Sequence, residues 1–243
     1  MSKGIYVLPN LFTAASLFAA FFGIVSTFNG EYTRAAVAIL ISAILDSLDG
    51  KIARLTGTTS RFGVEFDSLA DCVAFGVTPG ALVYAWGLRP FDKLGWLAAF
   101  VYVVCAALRL ARFNVQISTV DSKRFNGLPS PAAAALIATT ILLFGELEID
   151  EATRHVPVLI MVFAAGLLMV SGFKYNSFKD ADLYRRQPFY TLVLFILLLV
   201  IVASEPQIML FTVFLVYAAS GPTAALLAVA RRGRHPAPAA ETR

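Results

Sequence analysis

The segment Ala35-Ala-Val-Ala-Ile-Leu-Ile-Ser-Ala-Ile-Leu-Asp46-Ser-Leu-Asp49-Gly50-Lys51-Ile-Ala-Arg54 starts as a membrane span and ends as something else. About 20 apolar residues cross a bilayer as one helix. An aspartate at the centre of such a helix costs about 2.5 to 3.5 kcal/mol on insertion scales, less toward the interface. Two acids three residues apart at one end of an apolar run therefore point to a site, because lipid offers a carboxylate no solvated alternative.

The rest of the chain has the same character. It has 243 residues, 58% of them hydrophobic and only 15% charged, with a mean hydropathy of +0.73. A water-soluble domain carries about 25% charged residues. Apolar runs at 8–28, 33–53, 66–88, 94–113, 131–147, 155–173, 188–204 and 207–229 predict an all-α polytopic membrane bundle of about eight transmembrane helices. The first run is followed at once by a second and lacks a clear small-residue cleavage site, so it is read as a retained span. Residues 1–230 are expected to form a single transmembrane catalytic domain, and the Arg-, Pro- and Ala-rich stretch 231–243 a disordered tail.

Charge gives the orientation. All but four of the 20 lysines and arginines fall on the side of the two termini; Arg34, Arg89, Lys93 and Arg154 are the exceptions. By the positive-inside rule both termini face the cytoplasm, and the net charge of +4 reflects topology, with no nucleic-acid partner expected. Lys174, Lys179, Arg185 and Arg186 are read as orientation signals or anchors for anionic lipid. Trp86 and Trp96 are expected in the aromatic belt at the opposite interface. Cys72 and Cys105, both within apolar runs, make neither a disulfide framework nor a metal site. His155 and His235 are the only histidines, so a Ser-His-Asp relay lacks its parts. Chemistry is left to carboxylates, hydroxyls and basic side chains.

Two further acids, Asp67 and Asp71, open the next predicted helix. At 100° per residue, Asp46, Asp49, Gly50, Ala53 and Arg54 share an arc of about 140°, and Gly63, Asp67 and Asp71 one of about 80°. The short connection Leu55 to Phe62 makes the two helices antiparallel neighbours whose faces meet, and Ala70, Ala74 and Thr78 permit close approach. Four carboxylates in one pocket need a counter-charge. Two divalent cations supply it, and an all-oxygen donor set suits Mg²⁺ or Mn²⁺, which in pairs commonly serve phosphoryl displacement. Lys51, Arg54 and Arg61 are placed to hold a phosphate, and Gly50 and Gly63 let a bulky ligand near the backbone.

The spacing Asp46-x2-Asp49-Gly50-x2-Ala53-Arg54-x8-Gly63-x3-Asp67-x3-Asp71 resembles, at every fixed position, the signature of the CDP-alcohol phosphatidyltransferase family. Leu8-Pro-Asn-Leu-Phe-Thr13, Phe66-Asp-Ser-Leu-Ala-Asp71, Phe75-Gly-Val-Thr-Pro79, Arg109-Leu-Ala-Arg-Phe-Asn114 and Phe125-Asn-Gly-Leu-Pro-Ser-Pro131 resemble its serine-using branch. The likeness extends over about residues 5 to 190 and is least diagnostic in the last two helices. It implies a homodimeric enzyme of the cell (inner) membrane, with its active site toward the cytoplasm. The implied reaction transfers the phosphatidyl group of CDP-diacylglycerol to the hydroxyl of L-serine and releases CMP. Asp46, Asp49 and Asp67 would ligate the two metals, with Asp71 contributing and acting as general base. Asn10, Asp49, Gly50, Arg54, Ser60 and Gly63 would bind the CDP portion. For serine the candidates are Arg109 and Arg112, three residues apart on one helix face, together with Asn114 and Ser130 of the following loop; plain interfacial anchoring stays open for the two arginines. A sister transferase using glycerol 3-phosphate, inositol or inositol phosphate is the nearest alternative. A cation-coupled transporter is a remote one, because the acids have no counterpart in the second half of the chain.

Overall fold

In the computed structural model residues 7–56, 60–116, 124–176 and 205–232 are described. The expected span at 188–204 lies outside the described residues, as does the expected tail beyond Arg232; Arg231 and Arg232 are the last residues of a helix. The first two helices, α1 (Val7–Phe28) and α2 (Tyr32–Thr56), are an antiparallel pair. Gly30, at φ 76°, makes the turn between them, with Gly30 N donating to Thr27 O and Glu31 N to Ser26 O; a positive φ of this kind is the usual helix stop. Midway along the pair, Ser16 and Ser42 form a polar clamp. Their hydroxyls lie 2.8 Å apart, and each also reaches the other's backbone carbonyl, at 3.1 and 3.0 Å. In lipid such hydroxyls find partners only across a helix interface. Gly23 gives close passage, since a Cβ there would lie 3.0 Å from Thr78 Cγ2 and 3.5 Å from Ala35 O.

The next helix begins earlier than the apolar pattern predicts. Ser60, extended at φ −118° and ψ 151°, caps α3 (Arg61–Asp71) by accepting from Gly63 N at 3.0 Å. An N-cap hydroxyl replaces a missing intrahelical partner, so the segment assigned to the connection is already helical from Arg61. The chain continues through a π-helical stretch Cys72–Val77, α4 (Thr78–Val83), a second π stretch Tyr84–Leu88 and a 3₁₀ turn Arg89–Phe91. The irregularity centres on Pro79, which has no N–H for the carbonyl four residues back. That carbonyl, Phe75 O, accepts instead from Tyr102 Oη at 3.0 Å, while Thr78 Oγ1 donates to Val73 O at 3.0 Å. Asp92, at φ 46°, then reverses the chain into α5 (Asp92–Gln116), with Gly95 packed against the Leu88 carbonyl.

α6 (Ser130–Glu146) runs through the middle of the bundle and is buried on nearly every face; a helix apolar all round belongs inside. Its hydroxyls turn back on their own helix, Thr139 to Ala135 O and Thr140 to Leu136 O, both at 2.7 Å. α7 (Glu151–Val170) packs on α5, where Gly166 would set a Cβ 3.5 Å from Tyr102 Cα and 3.6 Å from Cys105 Sγ. α8 (Pro206–Arg232) packs on α6.

One feature has no counterpart in the predicted elements. β1 (Arg124–Asn126) and β2 (Lys174–Asn176) pair antiparallel, with Phe125 opposite Tyr175. The ribbon closes the end of α7: Leu128 N donates to Leu168 O at 3.0 Å, and Gly127 N to Phe173 O at 2.8 Å. The first of these bonds satisfies a carbonyl that the helix C-terminus leaves over. Gly127, at φ 86°, passes against the Met169 carbonyl.

Among the described residues four segments are long and apolar enough to cross a membrane: Pro9–Phe28, Arg61–Val115, Glu151–Val170 and Pro206–Leu227. The second is folded on itself at Asp92 and holds two passes. α2, with Arg34, Asp46, Asp49, Lys51 and Arg54, is not among them; it runs antiparallel to α1 along its length. Large apolar side chains face outward, Phe18 at 71% exposure, Ile160 at 64% and Leu226 at 71%. Outward faces this apolar are what hydrocarbon selects, and the chain is an integral membrane helical bundle. Trp96 is 53% exposed. Trp86 departs from the expected belt: it is 7% exposed, packed on Phe144, with the Arg154 guanidinium 4.6 Å above its ring.

Candidate active site

The acids converge at the end of the bundle where α1 begins, α2 ends and α3 begins. Asp46 and Asp49 lie on the α2 face turned toward α3, and Asp67 meets them from α3. Carboxylate oxygens of these three residues all lie within 4.8 Å of one another. Asp71, one turn further along α3, brings its carboxyl group up to that of Asp46. All four acids thus form one continuous patch.

Two observations bear on whether a cation fits. Oxygens around a small divalent ion at about 2.1 Å lie up to about 4.2 Å apart, so a ring within 4.8 Å closes with a small inward shift. Asp67 Oδ1 is buried with no hydrogen-bond donor among the described residues; an acceptor left in that state is expensive unless something positive reaches it. The donor set is oxygen only, which suits a hard divalent cation. The cluster is able to hold such a metal.

α1 adds a residue that the acid pattern does not predict. Thr13 Oγ1 donates to Asp49 Oδ2 at 2.8 Å, and both residues are buried. This bond fixes one oxygen of Asp49 and leaves the other for the cluster. One turn earlier on α1, Asn10 meets the start of α3: a Cβ at Gly63 would lie 3.1 Å from Asn10 Oδ1 and 3.1 Å from Ser60 Oγ. Asn10, Ser60 and Gly63 are therefore neighbours, and the missing side chain at Gly63 keeps the space between them open. Gly50 follows Asp49 on α2 and is half-buried. Lys51 and Arg61 are exposed beside the acids, and the side chain of Arg54 lies outside the described residues.

The candidates for the acceptor separate. Ala98, Tyr102, Cys105 and Ala106 set the inward face of α5, and Arg109 continues it. Its Nη1 donates to Ser130 Oγ at 2.7 Å, and its guanidinium is within electrostatic reach of Asp71. Ser130 has no exposed surface. Arg112, one turn on, is exposed, with Nη1 3.4 Å from Val170 O at the end of α7. Asn114 Nδ2 donates to Ser68 Oγ at 2.9 Å, one residue from Asp67. Arg109 and Ser130 thus come together, Asn114 ties α5 to α3, and Arg112 reaches the end of α7.

Comparison with known proteins gives the family. The family model described as CDP-alcohol phosphatidyltransferase matches residues 6–171. The chain is 40% identical over 196 residues to the CDP-diacylglycerol–serine O-phosphatidyltransferase of Helicobacter pylori, covering 81% of this chain and 80% of that one. It is 31% identical over 219 residues to the protein of the same name from Mycobacterium leprae, covering 87% and 72%. To the archaetidylserine synthase of Methanothermobacter thermautotrophicus it is 34% identical over 170 residues, 69% of each chain. With the match extending from the cap of the bundle through the acid cluster to the end of α7, the chain belongs to the CDP-alcohol phosphatidyltransferase family.

Proposed function

We propose that the protein is a phosphatidylserine synthase: the hydroxyl of L-serine attacks the phosphatidyl phosphorus of CDP-diacylglycerol, giving phosphatidylserine and CMP. The observation that carries this reading is the gathering of Asp46, Asp49 and Asp67 around one point, in a chain whose relatives bear the name of that activity. Residues 1–230 act as one catalytic unit and 231–243 as a tail outside it. The unit sits in the inner membrane as a homodimer, with both termini and the acid cluster toward the cytoplasm, where nucleotide and serine are dissolved.

Asp46, Asp49, Asp67 and Asp71 would hold two divalent cations, Mg²⁺ or Mn²⁺. When bound, these supply Lewis acidity to the diphosphate and stabilise the charge that develops on the leaving group. The remaining work belongs to the chain. Asn10, Gly50, Ser60 and Gly63, with Arg54 and one oxygen of Asp49, line the seat of the cytidine diphosphate. Arg109 and Ser130 orient serine by its carboxylate, which keeps the hydroxyl on the Asp71 side. Asp71 takes the proton from that hydroxyl as the new bond to phosphorus forms and the bond to CMP breaks. Lipid around the outward-facing helices keeps the acyl chains in place during the transfer, so only the head group needs to move.

The test is CMP release by the purified protein in detergent, with CDP-diacylglycerol and a panel of L-serine, glycerol 3-phosphate, inositol and inositol phosphate. Each assay is run with and without a chelator. Serine-dependent, chelator-sensitive release is the expected result. Release with another acceptor but not with serine overturns the acceptor assignment, and no release under any condition overturns the enzyme.

A further inference from the structure

The acids take up one end of the α1–α2 pair, and the rest of the pair carries a feature that the proposed reaction does not use. An apolar groove of about 560 Å³ runs along its outward side, with Phe18 of α1 and Val37 and Ile41 of α2 on the rim. These three are exposed, so the groove opens toward lipid, and the buried Ala19 and Ala38 form its floor. From Thr33 to Leu45 along α2, at 1.5 Å per residue, it is about 18 Å long. That is close to the depth of one leaflet, half of a hydrocarbon core about 30 Å thick.

Away from the acids the groove does not end in hydrocarbon. Thr33 and Arg34 line it and also line a second cavity, of about 330 Å³, which takes in Glu31, Trp86 and Gly145. A Cβ at Gly30 or Gly145 would meet nothing within 4 Å, so this cavity is open at its mouth. Arg34 Nη1 meets Glu31 Oε1 at 2.6 Å, with the two side chains 68% and 39% exposed. A guanidinium has five N–H donors, and a single bond to Glu31 leaves most of the fork for a ligand.

An apolar trough one leaflet deep that opens into a charged pocket matches an amphiphile. Polarity gives the direction, with the head at Glu31 and Arg34 and the chain running toward the middle of the bilayer. The donor of the proposed reaction has the reverse orientation, its head lying at the acids. In lipid an apolar groove gains nothing from the hydrophobic effect, so packing and the polar contacts select the occupant. One cation and one anion side by side suit a phosphate next to an ammonium. A head group with a phosphate alone brings like charge against Glu31, which costs affinity. We propose that the groove seats one zwitterionic glycerophospholipid of the leaflet opposite the acids, with an acyl chain on Ala19 and Ala38, its phosphate on Arg34 and its ammonium on Glu31.

The test uses the full chain, freed of lipid in detergent and titrated with phosphatidylethanolamine or phosphatidylglycerol of the same acyl chains. Bound molecules are counted by native mass spectrometry. The wild type should retain one phosphatidylethanolamine per chain and bind phosphatidylglycerol about fivefold more weakly, the worth of one charge at a membrane surface. Equal binding of the two lipids overturns the proposal, as does binding of neither. Val37→Trp fills the groove from its exposed rim and should abolish retention. Arg34→Gln should weaken both lipids about fivefold, and Glu31→Gln should erase the preference between them; a preference that persists removes the ammonium from Glu31 and overturns the assignment. Unchanged retention by Val37→Trp puts the lipid elsewhere. A raised KM for CDP-diacylglycerol in that variant gives the groove to the donor's own chain, and a dimer turned to monomer gives it to a second copy of this chain. Each of these three results overturns the proposal. Should Val37→Trp fail to accumulate, Arg34→Gln decides alone, and unchanged retention by it is fatal to the inference. Binding is read without serine, so a failed acceptor assignment leaves this result untouched.

Discussion

Asp46, Asp49, Asp67 and Asp71 come from two consecutive helices and meet across one short connection. Arg109, Ser130, Tyr175 and Tyr217 come from α5, α6, β2 and α8. The acid face is local in sequence, and the contacts Arg109–Ser130 and Tyr175–Tyr217 are assembled from elements spread over the second half of the chain. Local assembly lets one motif persist while the rest of the bundle varies. Dispersed assembly lets individual contacts change without disturbing the acids. The contrast predicts that substitutions in the first group damage the chemistry itself, whereas those at Arg109 and Ser130 act mainly on which acceptor is used.

The largest effect belongs to Asp71. Asp71→Asn preserves shape and removes the proposed base, so turnover should fall by about 10²- to 10⁴-fold, the range for loss of general-base assistance. Binding of a CDP nucleotide, followed by titration calorimetry, should persist. Near-normal turnover would take the base role from Asp71. Asp46→Asn should differ in kind, raising the metal concentration needed for half-maximal rate.

Next comes the pair of arginines that the sequence places together and the structure separates. Arg109→Gln strips the cation from its place between Asp71 and Ser130. Truncating one partner of such a buried pair costs about 2 to 5 kcal/mol, so the KM for serine should rise by about 100-fold. Arg112→Gln removes a contact of 3.4 Å at an exposed position, and its serine KM should stay within about twofold of wild type, as surface substitutions usually do. Equal losses in the two variants would mean that both arginines serve the acceptor and that the geometric division drawn between them is wrong.

A smaller effect is expected at Thr13. Its hydroxyl orients Asp49 in the manner of an outer-shell ligand, and Thr13→Val keeps the shape while removing the bond. Such partners are worth about 10- to 100-fold in metal affinity. The activity of Thr13→Val, titrated with Mg²⁺ and with Mn²⁺, should therefore saturate at about tenfold higher metal. Unchanged saturation would confine Thr13 to helix packing.

The same contrast explains what the sequence reveals. Acids inside apolar runs stand out because hydrocarbon leaves them no bland role, and the length of each apolar run sets the helices in order. Thr13 is silent by comparison: a threonine in an apolar helix serves equally well as an intrahelical donor, and only the approach of α2 makes it a partner of Asp49. Trp86 near a helix end suits the interface as well as the interior, and the choice depends on Phe144 and Arg154 arriving from other helices. Ser60 and Gly63 form a cap, but the polar connection hides it among residues of similar character. The three-residue strands are too short to show a period of two, so Tyr175 and, through it, Tyr217 are visible only once the fold brings β2 and α8 together.

The smallest effect, and the one that tests whether the two regions share a foundation, concerns Tyr102. Pro79 deprives Phe75 O of its donor four residues on, and Tyr102 of α5 supplies the replacement at 3.0 Å. The bond links the helix carrying Asp67 and Asp71 to the helix carrying Arg109, and Tyr102 is fully buried. Tyr102→Phe leaves the ring and takes away the hydroxyl, so the carbonyl is left short of a donor in a medium that offers no water. The cost should be about 1 to 3 kcal/mol, the penalty for a buried polar group that loses its partner. It should appear as a lower thermal midpoint in detergent, read by the loss of helical circular dichroism. A midpoint equal to that of the wild type would mean that the π-helical stretch satisfies Phe75 O on its own, and that the joint between the acid helix and the arginine helix rests on packing alone.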